Sequence, residues 1–424
     1  MMEDEYQLPI FGYQHNNIEL GHMWANACVG DNGFNIDNYY HGYIKASKIL
    51  LESILGCKDA DINPENQISI DALIYPICFN LRHAVELIVK KLSEVIINIF
   101  ENRNFKYKSV AIPKINLSSH DIKKIWENIK PLAIDSDIRF NKILNKIEPF
   151  ILEISRVDTT GQTFRYFLDN ENNEHLKKIR IIPTILLYKN VKVLESDLSK
   201  LNDIFDDLIM EYNLGTFTKK LSRDRIEQLA KDLPLKKHWG TSLTQDIKKK
   251  LKSKYDIGSK EFSEAINIIQ SHYEFSRYVG ESIKLKFIEK NMLFTVLDIW
   301  AKTKRVDEFF KIKSPNVISS WEEVAEIEKI ITLEFSSELY TLFCYGGELD
   351  GSECYIYRLE KRLDNYNSDK SWMIVDLQYL LGNKPDLVTK LIISLSYLNQ
   401  DNLALKLKER YDRYIMHELL DYYV

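Results

Sequence analysis

Apolar residues recur at helical spacing along most of the chain, most clearly between Leu73 and Phe100. At about 100° per residue they form one broad stripe, which predicts an amphipathic helix. The residues on the stripe are Leu81, Ala84, Val85, Ile88, Val89, Leu92, Val95, Ile96 and Ile99. At 1.5 Å per residue this helix is roughly 37 Å long, enough to cross a domain. We expect it at the centre of an N-terminal bundle, with Pro76 in its first turn.

The same spacing predicts helices on both sides of this stretch. The predicted N-terminal helices cover residues 38–54, 137–155 and 191–212, together with a helix capped by Ser119 and closed by Pro131. The predicted C-terminal helices cover residues 261–278, 281–301, 320–345, 371–382 and 387–421. Alternation in residues 158–169 predicts a turn and a short β segment or extended strip, and an apolar run over residues 179–185 predicts a further short strand. The predicted fold is therefore mainly α: an N-terminal helical bundle with a short β element near 158–185, plus a C-terminal helical domain.

Composition along the chain divides it into four segments. Residues 1–35 are rich in glycine and asparagine, which predicts an irregular N-terminal arm. Residues 36–215 form the predicted N-terminal helical domain. Residues 216–240 are highly charged and contain Pro234, so we interpret them as a linker. Residues 241–424 form the predicted C-terminal helical domain.

The overall composition excludes several classes of protein. With 15 Gly and 10 Pro in 424 residues, turn-rich β sandwiches and glycine-rich phosphate loops are disfavoured. A formal net charge of -5 argues against a protein that coats nucleic acid over its whole surface, but it leaves room for a local basic groove. Lysine, isoleucine and asparagine are abundant, as expected for an AT-rich gene of the kind common in mobile bacterial elements.

The cysteines and the N-terminus favour the cytoplasm. The five cysteines are scattered and form no C-x-x-C pair, so neither a disulfide framework nor a zinc ribbon is indicated. Free thiols fit a reducing compartment. The sequence begins Met-Met-Glu-Asp-Glu and shows no signal peptide, and no run of 18 apolar residues predicts a membrane span.

A compact polar group lies on the flank of the long predicted helix. Arg82, Glu86 and Lys90 are spaced i, i+4, i+8, and His83 is one position round from them. One interpretation is a surface ladder in which Glu86 pairs with both cations, worth about 0.3–0.5 kcal/mol per pair. The other is a polar cluster that faces a cleft. The spacing alone leaves both open.

Two further polar positions could join this group. His120-Asp121 is compatible with a metal-dependent phosphohydrolase, but a capped helix start explains it more simply, and we expect neither a metal nor a cofactor. Arg165 alternates with Phe164 and Tyr166, so it should point away from them, toward Glu86 or toward a phosphate. No H-E-x-x-H, P-loop or G-x-S-x-G motif is present.

Three short segments of the sequence, taken together, resemble a known family. Residues 81–87 (Leu-Arg-His-Ala-Val-Glu-Leu), residues 120–122 with Trp126, and Gly161 with residues 164–166 resemble, in order and spacing, a HEPN-like helical domain. Such domains occur in bacterial proteins of phage defence, abortive infection and toxin–antitoxin systems. The resemblance covers roughly residues 36–212. The resemblance implies a helical bundle and, in many members, a metal-independent RNase site. Because that site is often duplicated across a dimer, one possible partner of this chain is a second copy of itself.

The family's RNase site uses an Arg and a His separated by four to six residues on one helix. In this chain Arg82 and His83 are adjacent, so the domain departs from that pattern. The spacing occurs at Arg410 and His417, which one continuous helix would place on the same face. A chain with 14 Arg and 9 His is expected to contain about one such pair by chance.

The leading hypothesis is a component of a bacterial anti-phage or toxin system that acts on or recognises RNA. Arg82, His83, Glu86, His120 and Arg165 would converge in a cleft, with a histidine as acid/base and an arginine holding a phosphate. Basic runs could also contact phosphates; they comprise Lys248, Lys249, Lys250, Lys302, Lys304 and Arg305. The alternative is a non-enzymatic sensor or scaffold that binds a partner protein of the same system, with the polar group as a buried structural network.

Overall fold

The computed structural model describes residues 36–56, 69–168, 171–172, 174–177, 179–303, 321–348 and 350–423. Within these ranges the chain is mainly helical and contains no strand, so the predicted α class is confirmed. The predicted β element near 158–185 is wrong. Its described part consists of turns and coil, with one isolated antiparallel bridge between Leu168 and Glu174.

The described residues of the N-terminal part form a bundle of five helices. They are α1 (Ile36–Gly56), α2 (Ile70–Tyr107), α3 (Ile122–Ser136), α4 (Arg139–Val157) and α5 (Thr184–Asn213). The long helix α2 packs against α1, α3 and α5, and α4 packs against α3 and α5. Every residue of the apolar stripe predicted on α2 is buried. The stripe therefore forms the centre of the bundle core.

Two prolines and one N-cap differ from the predictions. Helix α2 begins at Ile70, so Pro76 lies inside it rather than in its first turn. The N-cap of α3 is Asp121, whose side chain accepts a hydrogen bond from the Lys124 N–H, rather than Ser119. Pro131 also lies within α3, because burial of the helix's apolar face outweighs the hydrogen bond that proline removes.

The predicted linker, residues 216–240, contains instead a ten-residue helix, α6 (Arg223–Asp232). Its residues Ile226, Leu229 and Ala230 are buried in a second hydrophobic core. Further helices of this core are α7 (Trp239–Ser242), α8 (Gln245–Tyr255), α9 (Ser259–Ser271) and α10 (Tyr273–Ser276). The high charge of this segment therefore belongs to an amphipathic helix.

A third core is formed by the remaining described helices. They are α11 (Lys290–Thr303), α12 (Trp321–Glu328), α13 (Leu333–Glu348), α14 (Ser352–Ser368), α15 (Ser371–Asn383), α16 (Leu387–Tyr397), α17 (Asp401–Tyr411) and α18 (His417–Tyr423). Helix α14 was not predicted, and the single helix predicted over residues 387–421 is divided into three.

The structure also bears on the expectations about membrane spans and disulfides. Of the part of the chain that the structure describes, α2 is long and apolar enough to cross a membrane, but half of its most apolar window is buried in the protein, as in a core helix. The described cysteines, Cys78, Cys344 and Cys354, form no disulfide.

Candidate functional site

Arg82 is the buried centre of the polar group on α2, with a relative exposure of 2%. One guanidinium N–H donates to the carboxylate of Glu86, one turn further along the helix. A second donates to the backbone carbonyl of His120 at 2.6 Å, and Nε donates to the carbonyl of Asp158 at 3.3 Å. Arg82 therefore fastens the start of α3 and the end of α4 to α2.

The loop after α4 closes over this guanidinium. Oδ1 of Asp158 accepts the N–H groups of Gly161, Gln162 and Thr163 at 2.7–3.2 Å. Gly161 has a φ of +79°, and a Cβ at this position would lie 3.2 Å from Cζ of Arg82. Only glycine fits this turn without strain, because the backbone is left-handed and the guanidinium is so close.

Glu86 connects the buried arginine to the protein surface. Its Oε1 atom lies 2.8 Å from Nζ of Lys90 and 2.8 Å from Nδ1 of His120. Burial raises the pKa of Glu86, but hydrogen bonds from Lys90 and His120, together with the charge of Arg82, outweigh burial and lower the pKa overall. Glu86 is thus a carboxylate at neutral pH.

The imidazole of His120 is oriented by this carboxylate while its side chain remains 67% exposed. A carboxylate can only accept a hydrogen bond, so Nδ1 of His120 carries the proton and Nε2 has a free lone pair when the ring is neutral. An exposed imidazole in a fixed tautomer can accept a proton from a bound molecule and return it.

His83 and Arg165 lie in a neighbouring group of rings. His83 packs edge-on against Tyr43 at 4.5 Å and parallel to Phe79 at 5.8 Å. The guanidinium of exposed Arg165 lies over Phe79 at 5.5 Å and over Tyr166 at 5.3 Å. Burial is the main cause that lowers the pKa of His83, so its ring is neutral at pH 7. We call Tyr43, Phe79, His83, Arg165 and Tyr166 the aromatic face.

The five predicted residues therefore fall into two groups. Arg82, Glu86 and His120 are joined by direct bonds, whereas His83 and Arg165 are joined through Phe79. Arg82 is buried and already bound to three protein groups, so the predicted arginine that holds a phosphate would have to be Arg165. Of the two partners predicted for Arg165, Glu86 is not in contact with it, because Arg165 stacks on aromatic rings.

The other predicted positions lie elsewhere. Helix α17 ends at Tyr411, so Arg410 and His417 do not share one continuous helix. Arg410 pairs with Asp298, and His417 lies 3.8 Å from Asp412. Lys248, Lys249 and Lys250 are on α8, the latter two exposed, and exposed Lys302 is near the end of α11. Lys304 and Arg305 are outside the described residues.

Three residues of these groups were not among the predicted site residues: Asp158, Phe79 and Tyr43. Phe79 precedes His83 by four positions, so helical spacing could have revealed it. The contact of Tyr43 with α2 depends on tertiary packing, and no local signal indicates it. The capping by Asp158 is local, but the position of its loop over Arg82 depends on tertiary packing.

One group among the described residues has the geometry of metal ligands: His272, Glu274 and Glu353. Arg223 already donates to both carboxylates, at 2.7 Å to Glu274 and 2.8 Å to Glu353. Burial raises the pKa of Glu353, but the hydrogen bond from His272 and the charge interactions with His272 and Arg223 outweigh burial and lower the pKa overall. Because a guanidinium supplies the positive charge here, we interpret the group as a structural connection between α6, α10 and α14.

Comparison with known proteins returned no match to this chain, whether to family models, to curated proteins or to solved structures.

Proposed function

We propose that the N-terminal bundle recognises single-stranded RNA through the aromatic face, as part of a bacterial anti-phage or toxin system. One observation carries the proposal. The guanidinium of Arg165 lies over Phe79, whose ring is parallel to that of His83. This combination of flat rings and an exposed cation is what unpaired bases and phosphates require.

Single-stranded RNA binds where bases can stack on aromatic rings and cations can contact the backbone. Tyr166 is exposed, and Tyr43, Phe79 and His83 are partly exposed, so their edges and faces can meet bases. Arg165 has no carboxylate partner among the described residues, which leaves its charge available to a phosphate. An exposed cation at Arg165 is compatible with the net charge of -5 for the whole chain.

RNA cleavage is the chemistry that the Glu86–His120 pair could add. Nε2 of His120 would take the proton of a ribose 2′-hydroxyl, whose oxygen attacks the adjacent phosphorus. The bond from phosphorus to the 5′-oxygen then breaks, and the imidazolium returns the proton to that oxygen. Glu86 would hold the tautomer and stabilise the imidazolium. The step needs no metal.

Membership of a defence or toxin system rests on the resemblance to HEPN-like domains. The five-helix bundle with α2 at its centre is compatible with that resemblance. We propose a cytoplasmic location because the described cysteines form no disulfide, as expected in a reducing compartment.

A non-enzymatic scaffold is the second candidate, and a specific observation favours it. Large apolar side chains are exposed close together in the chain between α4 and the start of α5, namely Tyr166, Phe167, Leu168, Ile181, Ile185 and Leu186. Exposed apolar patches of this kind often bind protein partners. The buried pairing of Arg82 with Glu86 would then have a structural role only.

Fluorescence anisotropy with a labelled 12-nucleotide single-stranded RNA tests RNA recognition. We expect Phe79→Ala and Arg165→Ala each to weaken binding about tenfold, because each removes a stacking ring or a phosphate contact. Arg180→Ala is the matched control, since Arg180 is an exposed arginine outside the aromatic face. Equal binding by all three variants and the wild type would contradict the proposal, as would no binding by the wild type.

A further inference from the structure

A cavity of about 260 Å³ lies beside the Arg82 network, between α2, α4 and α5. Its walls are mainly apolar and include Phe150, Ile154, Ile182, Leu187, Val191 and Leu194. Val191 and Leu194 are buried in the bundle core, so this part of the wall is fixed by the fold. Sites for drug-sized ligands measure roughly 300–1,000 Å³, so this cavity suits a somewhat smaller molecule.

Three charged side chains among the described residues also line the cavity. Arg82 is buried, and its charge is compensated by Glu86 and Asp158. Arg156, in the last turn of α4, is exposed and forms no hydrogen bond or ion pair with the described residues. Glu153, the third charged residue, is also exposed and also forms no ion pair with the described residues. A ligand with an apolar body can pack against the apolar walls, and an anionic group on such a ligand can pair with Arg156.

We infer that this cavity binds a small amphipathic anion, with its apolar body against α4 and α5 and its anionic group at Arg156. Medium-chain carboxylates have this chemistry. The volume is too small for a helix or a folded segment, which argues for a small molecule. The inference is independent of the proposed RNA recognition, since none of the aromatic-face residues lines the cavity.

Arg82 connects the cavity to the Glu86–His120 pair. The same guanidinium that lines the cavity donates to the carbonyl of His120 and to Glu86. A ligand in the cavity therefore touches the side chain that positions the exposed imidazole.

Isothermal titration of the full chain with hexanoate, octanoate and decanoate tests the inference. Each buried methylene contributes about 0.8 kcal/mol, so affinity should rise three- to fourfold per added methylene until the cavity is full. Octanol and octylamine test the anionic preference, and we expect both to bind at least about tenfold more weakly than octanoate.

Variants at the exposed rim locate the site without disturbing the core. Leu186 lines the cavity and is 55% exposed, so Leu186→Trp should block octanoate binding. Val193 is 51% exposed on the same helix but does not line the cavity, so Val193→Trp should bind normally. Arg156→Ala should weaken octanoate about tenfold and leave octanol unchanged.

Several outcomes would overturn the inference. They are absence of binding by any carboxylate, equal binding of octylamine and octanoate, and equal loss in Leu186→Trp and Val193→Trp. Self-association of the chain that Leu186→Trp abolishes, without carboxylate binding, would show that the cavity is part of a protein interface instead.

Discussion

Nδ1 of His120 lies 2.8 Å from Oε1 of Glu86, which joins an exposed imidazole to a buried carboxylate. The carboxylate also binds Arg82 and Lys90, so its negative charge is shared by three donors. The position of the imidazole therefore depends on Glu86 and Arg82, which are buried. The orientation of His120 and the stability of the bundle should change together when this group is altered.

Removal of Glu86 should destabilise the bundle strongly. Glu86→Ala deprives buried Arg82 of a partner, and breaking a buried ion pair costs about 3–5 kcal/mol of unfolding free energy. Glu127→Ala is the control, because Glu127 forms only an exposed pair with Lys123 and should change stability by about 0.5 kcal/mol or less. Urea unfolding followed by circular dichroism measures both. Similar costs for the two variants would show that solvent screens the Arg82–Glu86 pair.

The contribution of Glu86 should disappear in acid. The folded protein lowers the pKa of Glu86 below its ordinary value of 4.5, so the ionised group stabilises the fold above that value and loses this effect as pH falls through the folded pKa. The difference in unfolding free energy between wild type and Glu86→Gln should therefore shrink as pH falls below 4.5. A difference that grows in acid would mean that the folded pKa is raised.

Alanine should have opposite effects at two glycines. Gly161→Ala places a side chain at positive φ and against Arg82, which should destabilise the protein by about 1–2 kcal/mol or more. Gly42 lies within α1, where an added Cβ meets no atom within 4 Å, so Gly42→Ala should stabilise by about 0.5–1 kcal/mol. Thermal unfolding of the two variants provides the comparison. An unchanged Gly161→Ala would contradict the tight packing of this loop on Arg82.

RNA cleavage, if catalysed by the bundle, should depend on His120. We expect the wild type to degrade labelled single-stranded RNA and His120→Ala to lose about 10²- to 10⁴-fold in rate. His417→Ala should keep the full rate, because His417 is exposed in α18 and is not part of the Arg82 network. Gel analysis of time courses measures the rates. No cleavage by any form would favour the scaffold alternative.

The sequence predicted the helices far better than the contacts between them. The stripe on α2 was predictable because burial follows the 3.6-residue period. The pairing of Arg82 with Glu86 followed from their spacing, but their burial did not, since it depends on a loop that starts 76 positions after Arg82.

The false strand near Arg165 has a local physical cause. Asp158 binds three successive backbone N–H groups with its side chain, and this capping replaces the pairing that a strand would need. The helix within the predicted linker depends on distant contacts. Arg223 is satisfied by Glu353, 130 positions away, so the charges that suggested a solvated segment are partly buried.

Ultraviolet crosslinking of the full chain to a single-stranded RNA, with the modified residues mapped by mass spectrometry, tests RNA recognition most directly. If the aromatic face binds RNA, crosslinks form at Phe79, Tyr43 or Tyr166 and are lost in Arg165→Ala. Crosslinks confined to α8 around Lys248–Lys250, or none in the N-terminal bundle, would contradict RNA binding by the aromatic face.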